Sequence, residues 1–260
     1  MPLTLTEMIA LLAAAVAAGA INAGAGGGTL VTFPVLLFFG TPPLVANATS
    51  ALALVVGTAG SMFGYRCHIA AVKSWLWRFL PVSMLGGLLG GMLLTRTGNE
   101  SFAKLVPFLI LFATVLFCAQ GAFRRMAGFG DKPGGTERHR HVRAAVAFQF
   151  AVAVYGGFFG AGIGILMLAS LGFIGLTDIH EMNGLKTLLG ALINLVATFW
   201  FVAAGLIDWP RALIMTVGAL GGYFLGAHFA QRIPQRGVRL LITAIGLSIG
   251  LVTLCQEFCR

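Results

Sequence analysis

The feature that most constrains the fold of this chain is an internal duplication. A glycine cluster interrupts an apolar run in each half of the 260 residues, and an asparagine follows it at the same distance in both halves. The markers recur at a constant offset of 136 positions, so that Gly24 reappears as Gly160 and Asn47 as Asn183. A repeat without gaps between its markers indicates two copies of one structural unit.

The composition decides which solvent surrounds those copies. Hydrophobic residues make up 58% of the chain, charged residues make up 10%, and the mean hydropathy is +0.93. So few polar residues cannot cover a soluble globule, which makes the lipid bilayer the solvent. Because only helices satisfy an open backbone in lipid, we predict an all-α polytopic membrane protein. The apolar segments are Met8–Asn22, Thr29–Phe39, Leu44–Tyr65, Leu76–Leu94, Phe102–Ala122, Val142–Phe159, Ile163–Ile174, Leu185–Leu206, Ala212–Ala230 and Val238–Leu254.

The glycine clusters predict helix breaks inside the membrane. The stretch from Met8 to Phe39 has 32 residues, and as one helix it would measure about 48 Å. The hydrocarbon core is only about 30 Å thick. We therefore predict that the chain breaks at residues 24–28, as a helical hairpin or as two discontinuous helices.

Basic residues predict the topology. They concentrate in residues 65–78, 124–143 and 231–239, which places these three loops on the cytoplasmic side. A ten-segment arrangement puts all three inside, with both termini outside and the two repeats inverted, whereas an arrangement of 4+4 spans puts the third loop outside. The predicted domains are a first transmembrane repeat (1–123), a basic cytoplasmic linker (124–142) and a second repeat (143–260).

The net charge of +9 is thereby explained by membrane topology, and no nucleic-acid partner is predicted. The N-terminus has no basic region before its apolar run, so we expect a retained helix and not a cleaved signal peptide.

A broken helix in lipid favours an anion, because its first N–H groups and its dipole present partial positive charge. The alternative is that the glycines only permit tight turns. A polar stretch then begins the helix that follows each break. The candidate substrate-binding residues are Gly24, Gly26, Gly28, Asn47, Thr49, Ser50, Gly160, Gly162, Gly164, Asn183, Lys186, Thr187 and Asn194.

Lys186 is the most informative of these candidates. An ammonium near the apolar region is costly and usually marks a substrate path. It occupies the position of Ser50 in the first copy, which makes the predicted site asymmetric and electropositive. Two other interpretations stay open: Lys186 snorkels to the cytoplasm, and the hydroxyls and amides only join helices to each other.

Asp178, His180 and Glu181 precede the same helix and are candidates for coupling proton movement to transport. They could equally stabilise the start of that helix. Gly86, Gly90, Gly222 and Gly226 recur at four-residue spacing, which favours close helix packing over pore lining.

The sequence favours no enzyme, metal site or cofactor. It contains no HExxH, GxSxG or Walker A pattern, and its histidines lack a metal-ligand spacing. The four cysteines form no CxxC pair; Cys255 and Cys259, one turn apart, are the pair with an alternative redox or metal interpretation.

At its two glycine regions the chain resembles the TauE/SafE family of membrane transporters, often called sulfite exporters. The resemblance rests on GAGGGTLVTFPVLLFFGTPPLVANATSALA and GFFGAGIGILMLASLGFIGLTDIHEMNGLKTLLGALINL. It implies a secondary transporter of the bacterial cytoplasmic (inner) membrane that moves sulfite, sulfonates or related small sulfur-containing anions, commonly outward. Mapped onto this sequence, its polar motifs are Asn47, Thr49 and Ser50, and Asn183, Lys186 and Thr187.

The resulting hypothesis is a transporter that binds a small oxyanion between its broken helices and works by alternating access. A passive anion channel with the same polar stripes is one alternative, and a membrane scaffold without transport is another. The coupling ion, with H+ as the candidate, and homo-oligomer formation are left open by the sequence.

Overall fold

The structure, a computed structural model, describes residues 3–24, 27–64, 73–127, 135–173 and 179–229. Every regular element in these ranges is an α-helix. The helices are α1 (Leu5–Gly24), α2 (Thr29–Phe38), α3 (Pro43–Gly64), α4 (Lys73–Thr97), α5 (Asn99–Ala127), α6 (Gly135–Phe158), α7 (Ile163–Phe173), α8 (Ile179–Ala203) and α9 (Trp209–Phe229). They match the first nine predicted segments, while the tenth, with Cys255 and Cys259, lies outside the described residues.

The helix lengths fit a membrane protein with interrupted spans. Among the described helices, four are long and apolar enough to cross a bilayer, namely α1, α4, α5 and α8. The helices α2 and α7 have 10 and 11 residues, about 15 Å each, which is half of the hydrocarbon thickness. The prediction of an all-α polytopic membrane protein is therefore confirmed.

The chain reverses direction at both glycine clusters. A Cβ placed on Gly28 would lie 2.6 Å from the carbonyl oxygen of Ala18, so α2 returns along the helix it leaves. At the second cluster, a Cβ on Gly156 would lie 3.2 Å from Cγ2 of Ile163. Residues seven positions apart in an unbroken helix would be about 10 Å apart along the axis. Each break therefore forms a hairpin, as the ten-segment arrangement requires.

The two halves of the sequence exchange a helix. The helix α9, from the second half, packs closely on α1 and α3, and α4, from the first half, packs closely on α6 and α8. A Cβ on Gly222 would collide with the carbonyl of Val16, and a Cβ on Gly90 would collide with the carbonyl of Val154. These glycines thus permit direct backbone contact between helices, which is the packing role that their spacing predicts.

The packing defines two units that we call the first bundle (α1, α2, α3 and α9) and the second bundle (α4, α6, α7 and α8). Each contains a hairpin, and α3 and α8 form the main contact between them, while α5 lies mainly against α7. The sequence domains 1–123 and 143–260 stay a prediction, and residues 128–134 of the linker between them are not described. The bundles cross those boundaries because each takes one helix from the other half.

Three polar contacts place the starts of four helices at one end of the molecule. Arg211 Nη2 in α9 lies 2.7 Å from Glu7 Oε1 in α1, and the backbone N–H of Asp208 donates to Thr49 Oγ1 in α3 at 3.1 Å. The backbone N–H of Leu44, also in α3, donates to Asn99 Oδ1 at the start of α5 at 3.2 Å. Since α3, α5 and α9 begin at this end, they finish at the opposite one; in the sequence, each of these three helices is followed by a basic segment.

Candidate functional site

A polar cavity lies between the two hairpins. Its volume is about 80 Å³, enough for a few water molecules or one small polyatomic anion. Both breaks and both of the helices α3 and α8 contribute to its wall. The polar and glycine residues of the wall are Asn22, Gly27, Thr29, Asn47, Thr58, Gly156, Gly157, Gly160, Gly164, Lys186, Thr187, Gly190, Asn194 and Tyr223.

The backbone of the second break brings α7 and α8 together at this cavity. Gly160 and Gly162 have φ values of +80° and +77°, a conformation that residues with a Cβ rarely adopt. A Cβ on Gly160 would lie 3.4 Å from Asn194 Oδ1 of α8. Tyr155 holds the turn from α6, because its hydroxyl donates to the carbonyl of Ala161 at 2.8 Å.

The side chain of Lys186 runs along the first turn of α7. A Cβ on Gly164 would lie 3.3 Å from Lys186 Cδ, so the absence of a side chain at Gly164 makes room for the lysine stem. The first N–H groups of a helix have no intrahelical partner, and they carry the positive end of the dipole. The half-buried Lys186 and the N-terminus of α7 therefore both line the cavity.

The wall carries one formal charge at neutral pH. Among the described residues that line the cavity, Lys186 is the only Lys or Arg, and there is no Asp, Glu or His. An ammonium in a partly buried, apolar setting attracts an anion more strongly than it would in water. The wall is therefore suited to a small anion.

The first break contributes neutral groups that are already paired with one another. Asn22 Oδ1 accepts the N–H of Gly28 at 3.1 Å, and its Nδ2 donates to the Tyr223 hydroxyl at 2.7 Å. That hydroxyl lies 2.6 Å from Thr58 Oγ1, which itself donates to the carbonyl of Leu54 at 2.8 Å. Because the Thr58 hydroxyl donates its hydrogen bond to Leu54, the Tyr223 hydroxyl must be the donor in its bond with Thr58. The chain of bonds ties α1, α3 and α9 together.

Asn47 joins the two bundles at the cavity. This side chain of α3 is 2% exposed, and its Nδ2 donates to the carbonyl of Phe158 at the end of α6 at 3.1 Å. The other end of the amide, Oδ1, is buried and accepts no hydrogen bond from the part of the chain that the structure describes.

An aromatic cluster closes one side of the cavity. Phe159 lines the wall and packs edge-on against Phe33 at a centroid distance of 5.4 Å. Phe33 in turn lies 6.4 Å from Phe102, near the start of α5. The cluster thus connects the cavity wall at Phe159 with the start of α5.

The structure brings six of the predicted site residues to this wall: Asn47, Gly160, Gly164, Lys186, Thr187 and Asn194. Others lie away from it. Ser50 Oγ is 2.6 Å from Thr32 Oγ1. Thr49 Oγ1 accepts a hydrogen bond from the backbone N–H of Asp208, and Gly28 packs against Ala18. Gly162 faces Ala113 and Leu116, and Asn183 is half-buried off the wall.

The remaining predicted residues are described partly or not at all. Gly24 is the last residue of α1, and Gly26 and Asp178 lie outside the described residues. His180 is described only as part of the α8 backbone, and Glu181 is half-buried and does not line the cavity. All of these assignments stay predictions.

Three polar wall residues were missed by the sequence reasoning: Asn22, Thr29 and Tyr223. Asn22 had a usable signal, since it is a polar residue in an apolar run two positions before the glycine cluster. Tyr223 had none, because its neighbours Asn22 and Thr58 belong to the other half of the sequence.

Comparison with known proteins agrees with the geometry. Residues 11–253 match the family model described as "Sulfite exporter TauE/SafE". A probable membrane transporter protein of Haemophilus influenzae is 29% identical over 228 residues, covering 85% of this chain and 84% of that protein. The probable membrane transporter protein ORF9 of a Sinorhizobium species is 28% identical, covering 93% and 91%. For the probable membrane transporter protein YfcA of Escherichia coli K12 the identity is 24%, with coverages of 89% and 83%. No solved structure matches the chain significantly.

Proposed function

We propose, on the premise that the chain belongs to the TauE/SafE family of membrane transporters, that it exports a small sulfur-containing anion. Sulfite, an organic sulfonate or a related oxyanion would cross the bacterial inner membrane by secondary transport. The family and the relatives are membrane transporters and not enzymes. The cargo, the direction and the mechanism are our proposal.

One observation carries the choice of an anion: the cavity between the hairpins is lined by Lys186 and, among its described residues, by no acidic side chain. The Lys186 ammonium would repel a cation, whereas it would attract an oxyanion. An ionisable side chain within a membrane helix usually marks a substrate path, so we infer that Lys186 marks the path of a negative guest.

The proposed binding groups come from both bundles. Lys186 supplies the charge, and Thr187 and the Asn194 amide supply hydrogen-bond donors from α8. The N–H groups at the start of α7, beside Gly164, complete the anion site from the backbone. Asn47 faces them from α3. The polar groups of the first break are already engaged with one another, so we assign them to holding the first bundle together.

Alternating access would follow from the two bundles moving against each other. The backbone contacts at Gly222 and Gly90 lie inside bundles and make each of them rigid. The cavity lies where the bundles meet, and the Asn47 bond to Phe158 crosses that boundary. A change in this contact would accompany the opening of the site.

The orientation in the membrane belongs to the same proposal. The three basic segments follow helices that finish at one end of the molecule, and we place that end in the cytoplasm. The inverted relation of the two repeats also stays a proposal, as does the coupling role of Asp178, His180 and Glu181.

The test is sulfite transport into proteoliposomes that contain the purified protein. We expect Lys186→Ala to lower the initial rate by at least about tenfold, the factor that corresponds to 1.4 kcal/mol of lost binding. Lys104→Ala is the matched control, because it removes an exposed lysine of α5 and should leave the rate unchanged. Equal rates for both variants and the unaltered protein would remove Lys186 from the site.

The same vesicles separate a transporter from a channel. A coupled transporter accumulates the anion against its concentration gradient when a proton gradient is imposed. A channel only equalises the concentrations, so accumulation that never exceeds equilibrium would favour the channel.

A further inference from the structure

A few buried polar side-chain atoms have no hydrogen-bond partner among the described residues. They are Thr41 Oγ1, Asn47 Oδ1, Gln149 Oε1 and Thr198 Oγ1. The great majority of buried polar groups in native proteins are satisfied, and an unsatisfied one costs free energy. Each exception therefore needs a physical explanation.

Three of these residues lie toward one end of the molecule, the end at which α3, α5 and α9 begin. Asn47 is four residues after the start of α3, and Thr198 is five residues before the end of α8, which is about 6 and 8 Å along the helix axes. The helix α8 finishes at this end, because α9 begins only six positions later. Thr41 stands two residues before α3. All three are at most 4% exposed.

Thr198 lies on the cavity side of α8. It is four residues after Asn194 and three before Phe201, which both line the cavity, and residues at these spacings share one face of a helix. Asn47 lines the wall from α3, and α3 and α8 form the main contact between the two bundles. The positions therefore run from the cavity wall, at Asn47, to the end of the molecule, at Thr41.

Aromatic rings fill the interior in this region. Phe159 and Phe201 line the cavity, and Phe33 and Phe102 continue the packing to the start of α5; each of the four is at most 3% exposed. Apolar rings supply neither a donor for an amide oxygen nor an acceptor for a hydroxyl. If this region stayed closed in every conformation, its three polar atoms would never be satisfied. Water would satisfy them in a conformation that opens here.

We propose that Asn47, Thr198 and Thr41 line the half of the cargo's path that leads from the cavity to this end, and that this half is closed in the present conformation. The inference rests on the proposed function and assigns a route to it, along the contact between α3 and α8. Opening of the route would break the Asn47 bond to Phe158 and expose the three atoms to water.

Gln149 is different and serves as an internal reference. Its amide donates to Ser83 Oγ at 3.0 Å, between α6 and α4. These helices pack closely inside the second bundle. The unsatisfied Oε1 of Gln149 therefore lies off the proposed route, although the residue is as deeply buried as the other three.

Thiol accessibility tests the route. The four native cysteines are replaced by alanine in the full-length chain, and one cysteine is introduced as Thr198→Cys, Thr41→Cys or Gln149→Cys. We expect the first two to react with a maleimide in detergent at least about tenfold faster than Gln149→Cys, because a buried thiol reacts only when its surroundings open. Thr198→Cys is decisive, since it lies deeper than Thr41→Cys. A rate no faster than that of Gln149→Cys would overturn the route.

Modification should also stop passage of the cargo. The Thr198→Cys protein is labelled to completion, freed of reagent because sulfite itself reacts with maleimides, and placed in proteoliposomes. We expect its initial rate of sulfite transport to be at least about tenfold lower than that of the same protein without label. An undiminished rate would show that the region opens without carrying cargo, and it would contradict the proposal.

A second variant needs no cysteine replacement. Thr198→Val keeps the shape of the side chain and removes the unsatisfied hydroxyl, so it should favour the closed conformation. We expect the thermal unfolding temperature to rise by about 2–4 °C and sulfite transport to slow by about fivefold or more. An unchanged transport rate would count against the route.

Thr114→Val is the matched control. Thr114 is a buried threonine of α5, and its hydroxyl is satisfied by the carbonyl of Ile110 at 2.7 Å. We expect this variant to raise no unfolding temperature and to leave the transport rate unchanged. Slowing in both variants to the same extent would mean that valine acts through general packing, and the route would lose its support.

The outcomes separate the route from the function on which it rests. Sulfite transport by the unaltered protein, together with an unreactive Thr198→Cys, would overturn the route and leave the transporter intact. An absence of protein-dependent sulfite transport would remove the proposed function and the route together.

Discussion

The two hairpin breaks have the same glycine spacing and use it differently. At the first break the polar groups form hydrogen bonds with one another. Asn22 accepts a hydrogen bond from the N–H of Gly28, and the hydroxyls of Ser50 and Thr32 are bonded to each other. At the second break two of the corresponding positions line the cavity. Gly164 stands where Gly28 does and makes room for Lys186, which stands where Ser50 does.

The difference shows how a duplicated unit can divide its tasks. Both copies keep the backbone geometry of a hairpin. Side chains at equivalent positions, however, either pair inside the protein or line the cavity. One copy holds its bundle together, and the other supplies the charge. Seven substitutions, arranged in four experiments, test this contrast in order of decreasing expected effect.

The largest effect is expected from exchanging the two equivalent side chains. Ser50 is fully buried, so Ser50→Lys would place an uncompensated ammonium there and should destabilise the protein by about 3–5 kcal/mol. Lys186→Ser should lower the thermal unfolding temperature in detergent less than Ser50→Lys does, and it should weaken sulfite binding. A stable Ser50→Lys protein would show that the first break also accommodates a cation, and the contrast would fail.

Alanine at the two equivalent glycines should separate stability from binding. In Gly28→Ala the new methyl would lie 2.6 Å from the backbone oxygen of Ala18, an overlap that costs about 1–3 kcal/mol. In Gly164→Ala the methyl meets the flexible Lys186 stem at 3.3 Å, so stability should hold while anion affinity falls several-fold. Thermal unfolding and sulfite binding, measured on both variants, check this; reversed effects would contradict it.

Each break also has a tyrosine whose hydroxyl holds it. Tyr223→Phe leaves Asn22 Nδ2 without its acceptor and should cost about 1–2 kcal/mol of stability with little change in anion affinity. Tyr155→Phe releases the carbonyl of Ala161 at the second break and should lower the affinity as well. Equal binding losses in the two variants would argue that both breaks contact the anion.

The smallest effect is expected where α1 meets α9. Glu7 and Asp208 both pair with Arg211, whereas the matching contact of α6 with α4 is a neutral bond of Gln149 to Ser83 at 3.0 Å. Because Asp208 remains, Glu7→Gln should cost no more than about 1 kcal/mol, and less at high salt. Chemical unfolding at two salt concentrations measures this, and a salt-independent loss would contradict an ionic contribution.

Much of the fold could be predicted from the sequence, because in lipid the length of each apolar segment determines where its helix begins and ends. The bounds of α2 and α7 lie within one residue of their predicted apolar segments, and the excess length of residues 8–39 predicted the first hairpin. The exchange of α4 and α9 could not be predicted. Apolar helices have no hydrophobic preference for one neighbour over another in a membrane, and only the small-residue contacts decide.

The site was harder to predict, since it depends on helix rotation. Asn47, Thr49 and Ser50 were the predicted binding residues of α3, whereas the cavity face of this helix contains Asn47, Ala51, Leu54 and Thr58. A rotation of one residue, about 100°, is enough to turn Ser50 toward Thr32. Lys186 is on the wall for a reason that the sequence did contain, namely a cation in an apolar helix.

The exchanged helices also affect how the protein is made. The surface of α1 that packs against the glycines of α9 leaves the ribosome early. The helix α9 itself is synthesised almost 200 residues later. During that interval we expect lipid, or an insertion factor, to cover the surface that α9 later occupies. Nascent chains truncated before Trp209 should then contain inserted helices and still lack a finished first bundle.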